Sequence, residues 1–411
     1  DDFFISMPPA TDLSAVTRPR TSPLLTPFKM ADGETRFIWT TFSADQIDLN
    51  FANPEVLLRM VNVLLDYLKR GADYVRLDAV GYMWKTPGTR CIHLEKTHQL
   101  VKLFRAIANH VAPGTVIITE TNVPHQDNIS YLGNGHDEAQ MVYQFSLPPL
   151  VLHAIHTGSA RALRQWASSL DLSSNDTTFF NFLASHDGIG LNPARGILSE
   201  VEIVSLVRDL ALEGALVSYK NNPDGSTSPY EINVTFLDAL NREADDDATR
   251  LKRFLLAHAI LLVFPGVPAI YIQSILGGRN HYDGVRAAGH NRAINRQKYD
   301  LQQIEAALAG GDWLRQQIYT RLSQLIQLRR RQPAFHPDNP MTIYDSENAV
   351  LVLSRHQPES GGGLLCVFNL SGRSVETRLP VAHTLQDVVS GEKIDGTQPV
   401  KLDAWQFMWL R

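Results

Sequence analysis

The run Asn53-Pro54-Glu55-Val56-Leu57-Leu58-Arg59-Met60-Val61-Asn62-Val63-Leu64-Leu65-Asp66-Tyr67-Leu68-Lys69-Arg70-Gly71-Ala72-Asp73-Tyr74-Val75-Arg76-Leu77-Asp78 reads as one helix leading into one strand. Asn53 is a helix N-cap, and proline suits the first helical position, where no amide partner is lost. Val56, Leu57, Met60, Val61, Leu64, Leu65 and Leu68 then recur with a period near 3.6 and form a broad apolar stripe. Gly71 ends the helix, and Tyr74-Val75-Arg76-Leu77-Asp78 has the composition of a short strand.

The same unit recurs along the chain. A helix over about 95–111 leads to a strand at 116–120, and a third strand at 141–145 precedes a helix near 160–170. A fourth strand covers 178–183. Ser199 and Glu202 have the spacing of a capping box that opens the next helix. A helix over about 250–263 leads to a fifth strand, Ala269-Ile270-Tyr271-Ile272. Alternating strands and helices imply parallel strands, since each crossover returns the chain to the same edge. Five units are countable, against the eight of a closed barrel. Residues 1–50, broken by Pro8-Pro9, Arg18-Pro19-Arg20 and Pro23, read as loop-rich. From Met341 the pattern changes to short alternating runs (349–353, 364–369, 375–379) separated by Gly361-Gly362-Gly363 and Ser371-Gly372, which predicts a small antiparallel β domain.

Composition narrows the function. The chain has 411 residues, 44% of them hydrophobic and 20% charged, with a net charge of −5. These values suit a globular protein and give no electrostatic reason to bind nucleic acid or an anionic membrane. No apolar run approaches the roughly 18 residues of a membrane span. Two cysteines far apart, Cys91 and Cys366, argue against a disulfide framework and suit a cytoplasmic location.

Three acids stand at or just past the carboxyl ends of the expected strands: Asp78, Glu120 and Asp187. In a parallel barrel these ends meet at one mouth, where active sites lie. Carboxylates repel one another and resist desolvation, so stability alone gives little reason to gather them. Glycosyl transfer through an oxocarbenium-like transition state needs such a set: a nucleophile, a proton donor and a stabilising anion. Arg76, two residues before Asp78, points to the same face of its strand and would hold that carboxylate ionised. His186 either hydrogen-bonds a core carbonyl or touches substrate. His153 and His156 lack a metal-ligand spacing, Gly277-Gly278 is turn material, and Cys91 is a plain thiol.

Arg76-Leu77-Asp78-Ala79-Val80-Gly81-Tyr82, Glu120-Thr121-Asn122 and Ser185-His186-Asp187-Gly188-Ile189-Gly190 resemble three signature regions of the α-amylase clan, glycoside hydrolase family 13. Phe264-Pro265-Gly266-Val267-Pro268, Arg18-Pro19-Arg20 and Gly289-His290-Asn291-Arg292-Ala293-Ile294-Asn295-Arg296 are similar to its sucrose-phosphorylase branch. The resemblance implies an α/β fold, a (β/α)8 TIM barrel with a small C-terminal antiparallel β domain. The barrel would occupy 1–335 with a loop insertion at about 214–247, and the β domain 336–411. It implies a retaining glycoside phosphorylase with Asp78 as nucleophile, Glu120 as general acid/base and Asp187 as transition-state stabiliser. Arg76 and His186 would hold nucleophile and sugar, Arg292 would lie near the glucose, and Tyr230 would border the acceptor or phosphate site.

The segments 218–226 and 20–28 resemble glucosylglycerate phosphorylases more than sucrose phosphorylases, and Lys220 or Arg20 could pair with the glycerate carboxylate. Sucrose or sucrose 6′-phosphate is the second substrate reading, an α-glucosidase or transglucosidase the third, and an inactive sugar-binding homologue the fourth. No organic cofactor or metal is implied. Inorganic phosphate is a co-substrate, the partners are small molecules, and a homodimer is left open. The family's barrel begins before anything matched here, so about three βα units are expected to precede Asp1, and this span alone is expected to have little activity.

Overall fold

A computed structural model describes residues 2–411 except Ser173, Pro223 and 358–361. Asp1, Pro223 and Gly361, which figure in the readings above, therefore lie outside the described residues. The chain forms two compact units: Asp1–Tyr143 with Leu172–Thr177 and Ser218–Tyr230, and Gln144–Asp171 with Thr178–Val217 and Glu231–Arg411.

The first unit opens with a hairpin, β1 (Leu25–Lys29) and β2 (Thr35–Trp39), in register from Leu25↔Trp39 to Lys29↔Thr35. This corrects the loop-rich reading of 1–50. Pro27 hides the strand in the sequence, yet a two-stranded ribbon has only edges, where proline is tolerated. Trp39, fully buried, packs with Val16, Leu24 and Cys91. Helix α1 (Pro54–Lys69) forms as expected, the Asn53 side chain accepting the Glu55 amide, and Gly71 turns the chain out with φ +90°. Strand β3 (Tyr74–Leu77), α2 (Glu95–Val111), β4 (Val116–Thr119) and β5 (Met141–Tyr143) follow. The three strands pair in parallel, Leu77↔Thr119 and Ile118↔Met141. Leu64 and Leu68 of α1 and Leu100, Phe104 and Ala108 of α2 cover Val75 and Ile117. Each strand stops one residue or more before its expected end, so Asp78 and Glu120 begin the loops that follow.

The second unit contains α3 (Leu147–Thr157), α4 (Arg161–Ala167), β6 (Thr178–Asn181), β7 (Ile189–Gly190) and α5 (Glu200–Leu212). The sequence reading had no helix at α3. Pro148 and Pro149 obscure it, although the first helical turn tolerates proline because its amides have no helical partner. The Ser199–Glu202 capping box is present in full. Strands β8 (Leu216–Asn221) and β9 (Thr227–Asn233) form the hairpin whose tip belongs to the first unit.

Helix α6 (Asp247–Val263) is buried on nearly every side and packs against α3 and α7 (Trp313–Arg330). It leads to β10 (Val267–Pro268), parallel to β6 through Val267↔Phe180. The expected strand at 269–272 is displaced toward the amino end. Gly266, at φ +119°, approaches so closely that a Cβ would lie 2.5 Å from the Phe179 carbonyl, and this starts the pairing early. The Ala269 amide closes it on the Asn181 carbonyl, and Tyr271 caps a short helix, Ile272–Ile275.

The chain ends in the expected antiparallel structure, a sheet of β11 (Met341–Tyr344), β12 (Val350–His356), β13 (Gly363–Asn369) and β18 (Phe407–Leu410). Between β13 and β18 lie β14 (Val375–Thr377), β15 (Thr384–Gln386), β16 (Lys393–Asp395) and β17 (Val400–Leu402). Arg355, fully buried, ties this sheet to the end of α6 by donating to the carbonyls of Val263, His336 and Asn339. Burial pulls its pKa down to about 10.

Candidate active site

In the first unit one guanidinium serves two carboxylates. Arg76 Nη1 lies 2.7 Å from Asp78 Oδ1, and Nη2 lies 3.8 Å from Glu120 Oε2. The period of two along β3 places Arg76 and Asp78 on one side, as the sequence predicts. Parallel pairing brings Glu120 beside them, its amide donating to the Leu77 carbonyl at 3.1 Å. Glu120 Oε2 also accepts the Ala79 amide at 2.9 Å, and Ala79 sits in the left-handed region at φ +47°, rare for a residue with a Cβ. The two acids have unlike surroundings: Glu120 is 8% exposed, whereas the Asp78 side chain is 68% exposed. The Arg76 guanidinium also stacks 5.3 Å from the Tyr143 ring. Burial works against its charge, but Glu120, Tyr143 and Asp78 outweigh that, and its pKa moves up.

Arg20 and Tyr230 also meet, in an aromatic cluster. The Arg20 guanidinium carbon lies 5.0 Å from the Tyr230 ring and 5.7 Å from Phe42, and Phe42 meets Tyr82 edge-on at 5.4 Å. Burial raises the Tyr82 phenol pKa, Tyr230 adding to this and Arg20 opposing it. Lys220 lies half-buried on β8 near the tip of the 218–230 hairpin.

In the second unit the group is built on Asp187. Arg292 Nη1 lies 2.5 Å from Asp187 Oδ1, Arg296 Nη2 3.2 Å and His186 Nε2 3.7 Å from the same oxygen. The backbone beneath is clamped: Asn295 Nδ2 donates to the carbonyls of Ser185 and Asp187, and Arg296 Nε to that of His186. Glu231, 1% exposed, accepts from Arg292 Nε at 3.0 Å and from Nη2 at 2.6 Å. Gly188 permits the approach, since a Cβ there would lie 2.6 Å from Glu231 Cγ.

Four residues of these groups escaped the sequence reading: Glu231, Arg296, Phe42 and Tyr82. Glu231 and Arg296 lay inside segments already singled out. Alternation along β9 sets Glu231 opposite Tyr230, and Arg296 directly follows the short 3-10 helix, Asn291–Asn295, that carries Arg292. Tyr82 closes the motif at 76–82, and Phe42 gives no signal in the sequence.

The remaining candidates have local explanations. Cys91 is buried with Sγ on the Thr86 carbonyl, and His156 hydrogen-bonds the Ala239 carbonyl. Among the described residues no group of three or more His, Cys, Asp or Glu side chains could hold a metal ion. Nor, among them, is any helix long and apolar enough to cross a membrane.

Comparison with known proteins accords with this geometry. Residues 2–190 match the family described as Alpha amylase, catalytic domain. The whole chain is 59% identical over 411 residues to a glucosylglycerate phosphorylase of Escherichia coli, covering 73% of that protein. It is 46% identical to one from Allomeiothermus silvanus, over 99% of this chain and 72% of that protein. A sucrose phosphorylase of Agrobacterium vitis is 30% identical over 83% of this chain and 67% of its own length. Among solved structures, the sucrose 6F-phosphate phosphorylase from Thermoanaerobacter thermosaccharolyticum superposes with a TM-score of 0.78 at 24% identity, over 98% of this chain and 77% of that one. The chain therefore belongs to the α-amylase family, and within it to the glycoside phosphorylases. Its fold is the α-amylase type, with antiparallel sheets at the carboxyl end.

Proposed function

We propose that this glycoside phosphorylase splits a glucoside of glycerate, moving the glucosyl group to inorganic phosphate through a covalent intermediate on Asp78. The observation that carries the proposal is the Arg76–Asp78 ion pair, with Glu120 hydrogen-bonded beside it. Asp78 Oδ attacks C1 of the glucose, and the bond from C1 to the glycerate oxygen breaks. Glu120 gives its proton to that oxygen as it leaves. Asp187, in the motif at 185–190 that resembles the family's, is assigned the stabilisation of the positive charge that develops on the ring, a charge complementary to a fixed carboxylate.

In the second half, Glu120 takes a proton from phosphate and a phosphate oxygen attacks C1. The Asp78–C1 bond breaks with its electron pair returning to the carboxylate. Two inversions leave α-glucose 1-phosphate with net retention. Neither half calls for an organic cofactor, because carboxylates supply both nucleophile and acid.

Glycerate is favoured over fructose for two reasons. The first is the high identity to glucosylglycerate phosphorylases. The second is Arg20, stacked on Tyr230 and Phe42. Aromatic faces hold a guanidinium by its plane and leave its N–H edge for an anion, which suits both the glycerate carboxylate and phosphate. The test is a phosphorolysis screen of glucosylglycerate, sucrose, sucrose 6′-phosphate and glucosylglycerol, with glucose 1-phosphate as readout. The highest kcat/KM is expected on glucosylglycerate. A clear preference for a sucrose refutes the substrate, and glucose released equally fast without phosphate refutes the acceptor.

A further inference from the structure

The Asp187 group contains a buried acid to which the reaction gives no direct part. Glu231 is 1% exposed, and such a charge survives burial only when paired and hydrogen-bonded. Its partner is Arg292, met on the edge formed by Nε and Nη2 with contacts of 3.0 and 2.6 Å. That side-on grip uses two of the three guanidinium nitrogens and fixes the plane, so Nη1 is aimed in one direction, where Asp187 Oδ1 lies at 2.5 Å. The backbone holds Glu231 as firmly. Strand β9 pairs with β7 through Gly190↔Glu231 and Ile189↔Ile232, directly after Asp187 and Gly188. Gly188 has no Cβ to push the side chain away.

We infer that Glu231 is a positioning residue for glucosyl transfer: acting through Arg292, it fixes the orientation of the Asp187 carboxylate. The chain Glu231–Arg292–Asp187–Arg296 alternates in sign, so Glu231 offsets guanidinium charge that would otherwise bear on Asp187. Without Glu231 the guanidinium loses its side-on grip and more of its charge bears on Asp187. Arg292 and Arg296 both approach Oδ1 and hold the carboxylate from that side. The inference rests on the role proposed for Asp187 and is independent of which glucoside is natural.

The experiment compares Glu231→Gln, Glu231→Asp and Gly188→Ala with the unmodified protein, using α-glucosyl fluoride and phosphate and reading glucose 1-phosphate. A positioning role predicts kcat lower by roughly 10- to 100-fold in Glu231→Gln, KM changed less than about threefold, and melting temperature little altered. Glu231→Asp, which keeps the charge, should retain more kcat than Glu231→Gln, which keeps the size. Gly188→Ala should show the same split, and adding it to Glu231→Gln should cost little more. Unchanged kcat in Glu231→Gln, or greater activity in Glu231→Gln than in Glu231→Asp, overturns the inference in favour of packing. Because the fluoride brings its own leaving group, failure of the substrate screen leaves these ratios readable.

Discussion

Arg76 and Asp78, two residues apart at the end of one strand, meet at 2.7 Å, and the same guanidinium reaches Glu120 on the neighbouring strand at 3.8 Å. One cation thus contacts an exposed acid and a buried acid, which suits the two different tasks proposed for them. Replacing Arg76 by Lys keeps the charge but removes the forked geometry. The expected result is a kcat/KM about 100-fold lower for phosphorolysis, measured by glucose 1-phosphate release. Less than a threefold loss would mean the fork is dispensable.

Glu120 is proposed to supply a proton to the leaving oxygen, a task worth typically 10²–10⁴-fold. Glu120→Gln should lose activity of that order on glucosylglycerate, yet far less on α-glucosyl fluoride, because fluoride leaves without a proton. Stopped assays on the two donors give the comparison. Equal losses on both would remove the acid role and leave Glu120 only the phosphate step that the two donors share.

Arg20, held between Tyr230 and Phe42, is proposed to meet anions at the acceptor end. Arg20→Gln should raise KM for glucosylglycerate and for phosphate by about tenfold, as expected from loss of a charge-assisted contact of roughly 1.4 kcal/mol. The KM for α-glucosyl fluoride should stay the same. An effect on all three alike would assign Arg20 to structure.

His258 is fully buried in α6, bonded through Nδ1 to the Phe254 carbonyl, and burial lowers its pKa to about 4. The unfolded chain binds this proton near pH 6.5, so between about 6.5 and 4 the unfolded state carries more protons than the folded one. Its contribution is fully present above that window and is lost as pH falls through it, at no more than about 1.4 kcal/mol per pH unit. Urea unfolding from pH 7 to 4.5 should show the decline, and His258→Gln should flatten it. An identical slope in the variant would place the acid sensitivity elsewhere.

Much of the fold was legible because local signals agreed. Asn53-Pro54 capped a periodic helix and Gly71 ended it, Ser199 and Glu202 closed their box, and period-two spacing joined Arg76 to Asp78. Proline concealed the rest. Pro27 sits inside a strand that a lone hairpin tolerates, and Pro148-Pro149 sit in a helical turn that needs no amide. The fifth strand moved because the close approach of Gly266 to Phe179 is a tertiary fact, invisible to periodicity.

The site divides in the same way. Asp78 and Glu120, one residue past β3 and β4, stand where the sequence places them. Glu231 is not legible, because a glutamate in a stretch that reads as a loop insertion gives no sign that it is 1% exposed in the folded state. Phe42 and Tyr82 join Arg20 and Tyr230 from distant stretches, and only folding brings them together.

The assignment of Asp78 as nucleophile has the most direct test. A slow-turnover fluorinated glucosyl fluoride, added without phosphate, should leave its sugar on one carboxylate, to be located by mass spectrometry of the peptides. The label is expected on Asp78 and should be absent in Asp78→Asn. A label on Glu120 or Asp187, or no label while the reagent is consumed, would contradict it.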